Sequence, residues 1–292
     1  MKECVILVMT LAPTRENKEG NGLQGKILVV KLGGSTLDHE RVILRDLICL
    51  QAQGVHPVLV HGGGPAITAW LQATHIPTRF EQGLRVTDAK TLEVVCMVLR
   101  GQINERLVLM ATEMGGKAVG ISGTDGQMVQ GHIADERLGL VGEIDAIDPT
   151  IVHGLIDEGY LPIIAPLGLG PGGQCLNMNA DLVAAHLAQA LHAERLVFLS
   201  NVAGIARADG TLISTLHEKE AHELIEEGVI NGGMIPKVQA CLNAVTTISC
   251  VHIVDGGQPH ILLQEINSQP YTGTMIVGEK GEDVLSRTSE RK

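Results

Sequence analysis

The sequence predicts an α/β protein organised on a parallel sheet, and three observations carry that expectation. Residues 27–30 and 58–60 are short β-branched apolar runs, the kind found in strands buried on both faces. Each run ends near glycines and leads into a stretch whose apolar residues have helical spacing. The alternation recurs through most of the 292 residues, which implies parallel strands joined by right-handed crossovers.

The elements follow in order. The first strand closes on Gly33-Gly34-Ser35, and residues 38–53 read as a helix with Val42, Ile43, Leu47 and Leu50 on its apolar side. The second strand leads through Gly62-Gly63-Gly64 into a helix over 65–74. Pro65 suits its first turn, where a backbone N–H would lack a partner anyway. Thr87-Asp88 reads as the N-cap of a long helix over 89–114, stopped by Gly115-Gly116. Strands are expected at 118–121, 127–132, 140–144 and 161–165, with a helix at 151–158. The second half runs helix 180–191, strand 196–199, helices 218–227 and 236–245, strand 249–254, helix 260–266 and strand 273–277. Residues 1–25 read as an extension outside the core. Positions 5–9 are apolar, but no A-x-A-like cleavage site follows them.

Charge and composition exclude several function classes. With 33 Asp+Glu against 22 Lys+Arg the net charge is -11, which argues against a nucleic-acid partner. Aromatic residues make up 2%, too few for the stacking platforms of single-strand binders. No apolar run reaches the roughly 18 residues of a membrane span. The six cysteines (Cys4, Cys49, Cys96, Cys175, Cys241 and Cys250) are scattered without a C-x-x-C pair. They read as thiols in a reducing, cytoplasmic setting. If such an acidic chain handles an anion, its few cations must gather at one site.

Three strings imitate known motifs and fail on context. Residues 20–26 match G-x-x-x-x-G-K, but Ile27 stands where Ser or Thr must ligate Mg²⁺, and the string precedes a strand. Residues 168–173 match G-x-G-x-x-G, but no helix opens after them, so a hairpin or loop is the better reading. His217 and His222 are five apart and do not share a helix face for zinc.

Other residues gather where α/β folds bind ligands. Lys31 ends the first strand directly before Leu32-Gly33-Gly34. His61-Gly62-Gly63-Gly64 repeats the theme at the second strand and opens a helix N-terminus, whose N–H groups and dipole favour anions. Arg85, within Gly83-Leu84-Arg85-Val86-Thr87, offers a planar fork suited to a carboxylate. Asn177-Met178-Asn179-Ala180-Asp181 sets amides and a carboxylate at a helix start, where an N-cap role can coexist with a site role. Gly232-Gly233-Met234-Ile235-Pro236-Lys237 again places a Lys beside glycines.

Taken together, in order and spacing over residues 26–278, these motifs resemble the amino acid kinase family, and within it the branch acting on N-acetyl-L-glutamate. The resemblance implies a three-layer αβα sandwich with an open, mainly parallel central sheet. It also implies ATP-dependent phosphorylation of the side-chain carboxylate of N-acetyl-L-glutamate, the second step of arginine biosynthesis. An N-terminal lobe (26–190) would bind acetylglutamate and dimerise, and a C-terminal lobe (191–292) would bind ATP. By position, Lys31 and Lys237 match the transition-state lysines, and Asp181 the carboxylate that orients both. Gly63, Gly64, Arg85 and Asn177 match substrate contacts, and Gly33 and Gly34 phosphate contacts. Asn201, Val202, Ala203, Gly204, Ile205 and Ala206 match one nucleotide loop, and Val229, Ile230 and Asn231 a second. The first loop opens on Asn201 where the family commonly has Asp. Mg²⁺ would arrive on ATP, with no metal site of the protein's own. A homodimer is the family default and a hexamer the alternative, although residues 1–25 do not read as the hexameric branch's amphipathic helix. His260, Glu265 and Gly273 resemble contacts to feedback arginine. Two readings stand beside the main one: a kinase for a related acylated amino acid such as acylaminoadipate, and a nucleotide- or arginine-sensing protein without catalysis. Intact Lys31, Asp181 and Lys237 argue against the sensor.

Overall fold

The structure, a computed structural model, describes residues 23–34, 39–81, 83–267 and 272–278. Its centre is an eight-stranded sheet. Strands β1 (Ile27–Leu32), β2 (His56–His61), β5 (Ala118–Ser122), β8 (Leu161–Ala165), β11 (Arg195–Ser200) and β13 (Val251–Asp255) run parallel in the order β13-β11-β1-β2-β8-β5. At one edge β14 (Thr274–Val277) pairs antiparallel with β13, and β12 (Thr215–His217) pairs parallel with β14. The sheet is therefore open and mainly parallel.

Residue parity divides the core into two layers. On β1, Val29 faces one layer while Leu28, Val30 and Leu32 face the other. On β11, Leu196 and Phe198 oppose Val197 and Leu199 in the same way. The Val29 side packs against α5 (Thr150–Asp157), α6 (Ala180–Ala190), α7 (Glu218–Glu226) and α8 (Met234–Val245). The other side packs against α1 (Glu40–Ala52), α2 (Gly64–Ala73), α3 (Ala89–Cys96), α4 (Glu105–Glu113) and α9 (Ile261–Asn267). Both faces of the sheet are covered by helices, as continuous apolar strands require, and this is the three-layer αβα arrangement. The sheet runs without interruption past residue 190, with β11 hydrogen-bonded to β1.

Three local expectations are refined. The helix over 89–114 runs from Ala89 to Glu113, but a π-helical segment, Met97–Asn104, links α3 to α4. The expected strands near 127–132 and 140–144 form as β6 (Val129–Ile133) and β7 (Val141–Ile147), but outside the main sheet. They close a small barrel with β9 (Leu167–Leu169) and β10 (Cys175–Met178). The G-x-G-x-x-G string is the β9–β10 connection, an antiparallel hairpin. Strands as short as β9, β12 and the hairpin β3 (Phe80–Glu81) with β4 (Leu84–Arg85) carry too few residues for a periodic signal.

The extension over 1–25 lies outside the described residues except for its last three positions, where Leu23 is already buried in the core. Cys96, Cys175, Cys241 and Cys250 are free thiols, whereas Cys49 is disulfide-bonded, against the expectation of thiols throughout.

Candidate active site

Strand parity sends Lys31 to the same face as Val29, toward α6 and α8. Asn179 caps α6, its side chain accepting from Asp181 N at 2.8 Å and Leu182 N at 3.3 Å, so Asp181 is held in the first turn. Lys237 stands one turn into α8. The three side chains converge: Lys31 Nζ lies 2.7 Å from Asp181 Oδ1, and Lys237 Nζ donates to Asp181 Oδ2 at 3.2 Å. Lys237 also sits 5.3 Å from the centre of the Phe198 ring, a cation–π contact from the neighbouring strand.

Lys31 is only 7% exposed. Burial pushes its ammonium below the ordinary lysine value; Asp181 pulls it back up and Lys237 adds to the lowering. For Asp181, burial works upward, but the two ammonium groups outweigh it and its carboxyl ends below the usual range. One anion thus clamps two cations, leaving a net positive charge at the carboxyl ends of the central strands.

The two glycine loops meet beside this cluster. A Cβ at Gly34 would lie 2.9 Å from Pro65 Cδ, so the loops pack backbone against backbone. A Cβ at Gly63 would lie 2.6 Å from Leu99 Cδ2 and 2.7 Å from Ile103 Cδ1, both on the π-helical segment. The same segment ends in buried Asn104, whose Nδ2 donates to His61 Nε2 at 3.1 Å and to Ile163 O at 2.9 Å. That leaves His61 Nδ1–H to donate to Gly62 O at 3.0 Å. Burial pushes the His61 imidazole down to about 4, so a neutral ring holds the glycine loop.

From this loop a cavity of about 420 Å³ extends, lined by Lys31, Gly34, Gly62, Gly63, Gly64, Phe80, Arg85, Asn177, Asn179 and Asp181 among others. Arg85 Nη2 donates to Gly64 O at 3.0 Å and Thr68 Oγ1 at 2.8 Å, and its Cζ lies 4.7 Å from the Phe80 ring centre. Among the described residues its Nη1 is buried without a hydrogen-bond partner. An unpaired guanidinium donor in a half-closed cavity is matched by a carboxylate oxygen. Asn177 Nδ2 donates to Thr87 Oγ1 at 3.1 Å, and that hydroxyl donates to Arg85 O at 2.8 Å, so Asn177 and Arg85 are coupled.

The structure therefore brings together Lys31, Gly34, Gly63, Gly64, Arg85, Asn177, Asp181 and, through Asp181, Lys237. Gly33 adjoins them, its N–H donating to Leu199 O at 3.3 Å. Residues 201–206 and 229–231 do not line this cavity. The former follow β11 at its carboxyl end and the latter join α7 to α8. Ile205 and Ile230 are buried in the core, leaving Asn201, Val202, Ala203, Ala206 and Asn231 exposed. The arginine candidates lie elsewhere. His260 Nδ1 is 2.7 Å from Asp46 Oδ1, and Glu265 is fully buried against His252 while accepting from Thr272 N and Oγ1. Gly273 takes φ +89, where a Cβ would strike Ile253 O. Sequence reading missed Phe80, Thr68 and Asn104. Thr68 stands four residues after Gly64, a spacing visible in sequence, but nothing local pairs Phe80 with Arg85 or Asn104 with His61.

A buried carboxylate clamping two lysines, a glycine-lined helix N-terminus and an arginine with a spare donor define a site for two anions, the requirement of phosphoryl transfer to an acidic acceptor. Residues 26–255 match the model of the amino acid kinase family, and the chain belongs to that family. Within it the chain is similar to the acetylglutamate kinase of Syntrophomonas wolfei, at 43% identity over 264 residues, covering 87% of this chain and 92% of that protein. The acetylglutamate kinase of Thermosynechococcus vestitus is 42% identical over 262 residues, covering 87% and 89%. Among solved structures, the N-acetylglutamate synthase of Neisseria gonorrhoeae complexed with coenzyme A and N-acetyl-glutamate superposes with a TM-score of 0.79 at 25% identity. That match covers 95% of this chain but 62% of the synthase.

Proposed function

We propose that this protein phosphorylates the side-chain carboxylate of N-acetyl-L-glutamate with ATP, giving N-acetyl-L-glutamyl 5-phosphate, the second step of arginine biosynthesis. The observation that carries the reading is a cavity lined by Lys31 and Asp181 of the Lys31–Asp181–Lys237 clamp and by Arg85, whose Nη1 has no hydrogen-bond partner among the described residues. The relatives named acetylglutamate kinase support the choice of substrate.

Each residue has a task in this reading. Arg85 grips the α-carboxylate, and Asn177, tied to it through Thr87, holds the substrate's polar groups. The backbone of Gly33, Gly34, Gly63 and Gly64 cradles the phosphoryl group. Lys31 and Lys237 neutralise the equatorial oxygens as negative charge gathers between nucleophile and leaving group. Asp181 orients both lysines and is no base, since a carboxylate acceptor at neutral pH carries no proton to remove. Among the described residues the one carboxylate of this cluster, Asp181, is already paired with two cations, so the net positive cluster suits phosphate oxygens better than a bare metal. Mg²⁺ accordingly belongs to the nucleotide, where it screens the phosphates.

Residues 201–206 and 229–231 contact the nucleotide through exposed loop backbone. This divides the continuous sheet into an acetylglutamate lobe (26–190) and an ATP lobe (191–292). A cytoplasmic homodimer completes the reading. Among the described residues no helix is long and apolar enough to cross a membrane. Arginine feedback through His260, Glu265 and Gly273 requires Glu265 to exchange its His252 and Thr272 contacts for a guanidinium. Unchanged turnover at millimolar arginine refutes that part alone.

An ADP-release assay with acetylglutamate, acetylaminoadipate, glutamate and aspartate tests the main reading. Turnover with acetylglutamate well above the other three is expected, and a rate no higher than the substrate-free control overturns it.

A further inference from the structure

Two half-buried thiols lie beside the acyl amino acid cavity and take no part in the chemistry above. Cys96 ends α3, Cys175 opens β10, and their sulfurs are 3.6 Å apart although 79 residues separate them in the chain. Cys175 and Asn177 are two residues apart on one strand and so share a face. Leu176 and Met178, on the opposite face, are buried. The shared face looks onto the segment 85–96 and meets it twice, through Asn177 on Thr87 and through Cys175 on Cys96.

We propose that Cys96 and Cys175 form a thiol–disulfide exchange site for small disulfides such as oxidised glutathione, whose closure ties α3 to β10 and weakens acyl amino acid binding. The cavity-lining partners of this tie, Arg85 and Asn177, are those the preceding section assigns to the substrate, and the kinetic half of the proposal rests on that reading. The thiol half does not.

The chemistry balances. The Cys175 thiolate attacks one sulfur of the small disulfide, forming a mixed disulfide and releasing one thiolate. The Cys96 sulfur then attacks Cys175 Sγ, forming the Cys96–Cys175 bond and releasing the second thiolate. Two protein thiols are oxidised, one disulfide is reduced to two thiols, and the two cysteine protons end on them. The two sulfurs are in contact and either can donate; the proposed order has the Cys96 S–H donating, which draws the Cys175 thiol below its ordinary value while the same bond and burial push Cys96 up. Among the other free thiols, Cys241 and Cys250 are buried, and burial pushes Cys241 up.

Closure must shorten the sulfur separation from 3.6 Å to the ~2.05 Å of a disulfide. The ~1.5 Å of movement is shared between χ1 rotation of the two cysteines and a shift of α3 against β10. Asn177 lies ~7 Å along the strand from Cys175, so its hold on Thr87 and the position of Arg85 shift with it. A misplacement of that size at a substrate clamp lowers catalytic efficiency substantially.

The test treats the full chain with oxidised glutathione, alkylates residual thiols and maps peptides by mass spectrometry, with initial rates measured in parallel. A Cys96–Cys175 cross-linked peptide, reversed by dithiothreitol, is expected. The KM for acetylglutamate should rise about tenfold, with the ATP KM changing less than about twofold. Cys96→Ser should trap a stable glutathione adduct on Cys175. It should keep the reduced enzyme's activity, because neither cysteine lines the cavity. Full alkylation of both cysteines after oxidation overturns the site, as do independent adducts on each without a cross-link. A cross-linked enzyme with an unchanged acetylglutamate KM overturns the coupling. If the chain turns over no acetylglutamate at all, peptide mapping still decides the thiol site while the proposed substrate fails separately.

Discussion

Around Arg85 the polar groups are enclosed and tied to one another: Arg85 to Gly64 and Thr68, Asn177 to Thr87, Asn104 to His61. At 201–206 and 229–231 the chain presents mostly exposed residues, with Gly204 and Val229 half-buried and Ile205 and Ile230 buried. The Lys31–Asp181–Lys237 clamp stands between these regions. In the proposed function the two ends would recognise by different means. The acceptor end would use a preformed shape with one donor, unpaired among the described residues, left for the ligand. The proposed nucleotide end would use loops anchored by Ile205 and Ile230, so the identity of the exposed residues would matter less there.

The sharpest way to break the comparison is Asp181→Asn. An amide cannot neutralise two buried ammonium groups, so kcat should fall on the order of 10³-fold; steady-state kinetics with a circular-dichroism check of folding reads it, and a tenfold loss or less refutes the clamp. Lys237→Ala should lower kcat about 10²-fold while leaving the acetylglutamate KM nearly unchanged. An effect confined to KM would move Lys237 from transition state to ground-state binding. Arg85→Ala should reverse that pattern. Losing a charge-assisted hydrogen bond costs about 1.5–3 kcal/mol, raising the acetylglutamate KM about 10- to 100-fold with a smaller change in kcat.

His61 supplies a graded test of the acceptor end. Its folded value of about 4 lies below the unfolded 6.5, so the folded form binds fewer protons between them. Its contribution to stability is complete above pH 6.5 and is lost as pH falls toward 4. The melting temperature should decline across this window, and less steeply in His61→Gln; parallel slopes would show that the buried ring does not set the dependence. The smallest effect is expected at the other end. Val202 is exposed at 38%, and Val202→Ala should change stability by no more than about 0.5 kcal/mol and the ATP KM by no more than about twofold. A tenfold KM change would show side-chain recognition there and erase the contrast.

The regular elements of the sheet were legible because their signal is local. Val29, Val58 and Val60 sit in short apolar runs, and α1 shows its apolar face at Ile43, Leu47 and Leu50 within one helix. The hairpin of Phe80 with Arg85 and the short β9 and β12 were not legible, since two or three residues cannot display a period. Nor was the departure of β6 and β7 into a separate barrel. An alternating strand states that it is half buried, not which sheet receives it.

The same division holds for the site. Lys31 beside glycines, the His61 loop at a helix start and Asp181 in a capped first turn are local chemistry, readable from residue type and spacing alone. The sequence by itself thus determined the alternating architecture and the candidate residues. Only the tertiary structure decided that Asp181 bridges Lys31 and Lys237, that Asn104 donates to His61 Nε2, that Arg85 keeps one donor unpaired among the described residues, and that Cys96 meets Cys175. The physical reason is that each of these contacts joins residues far apart in the chain. Parallel crossovers and the packing of α6 and α8 on one face of β1 set those distances, and residue order alone does not.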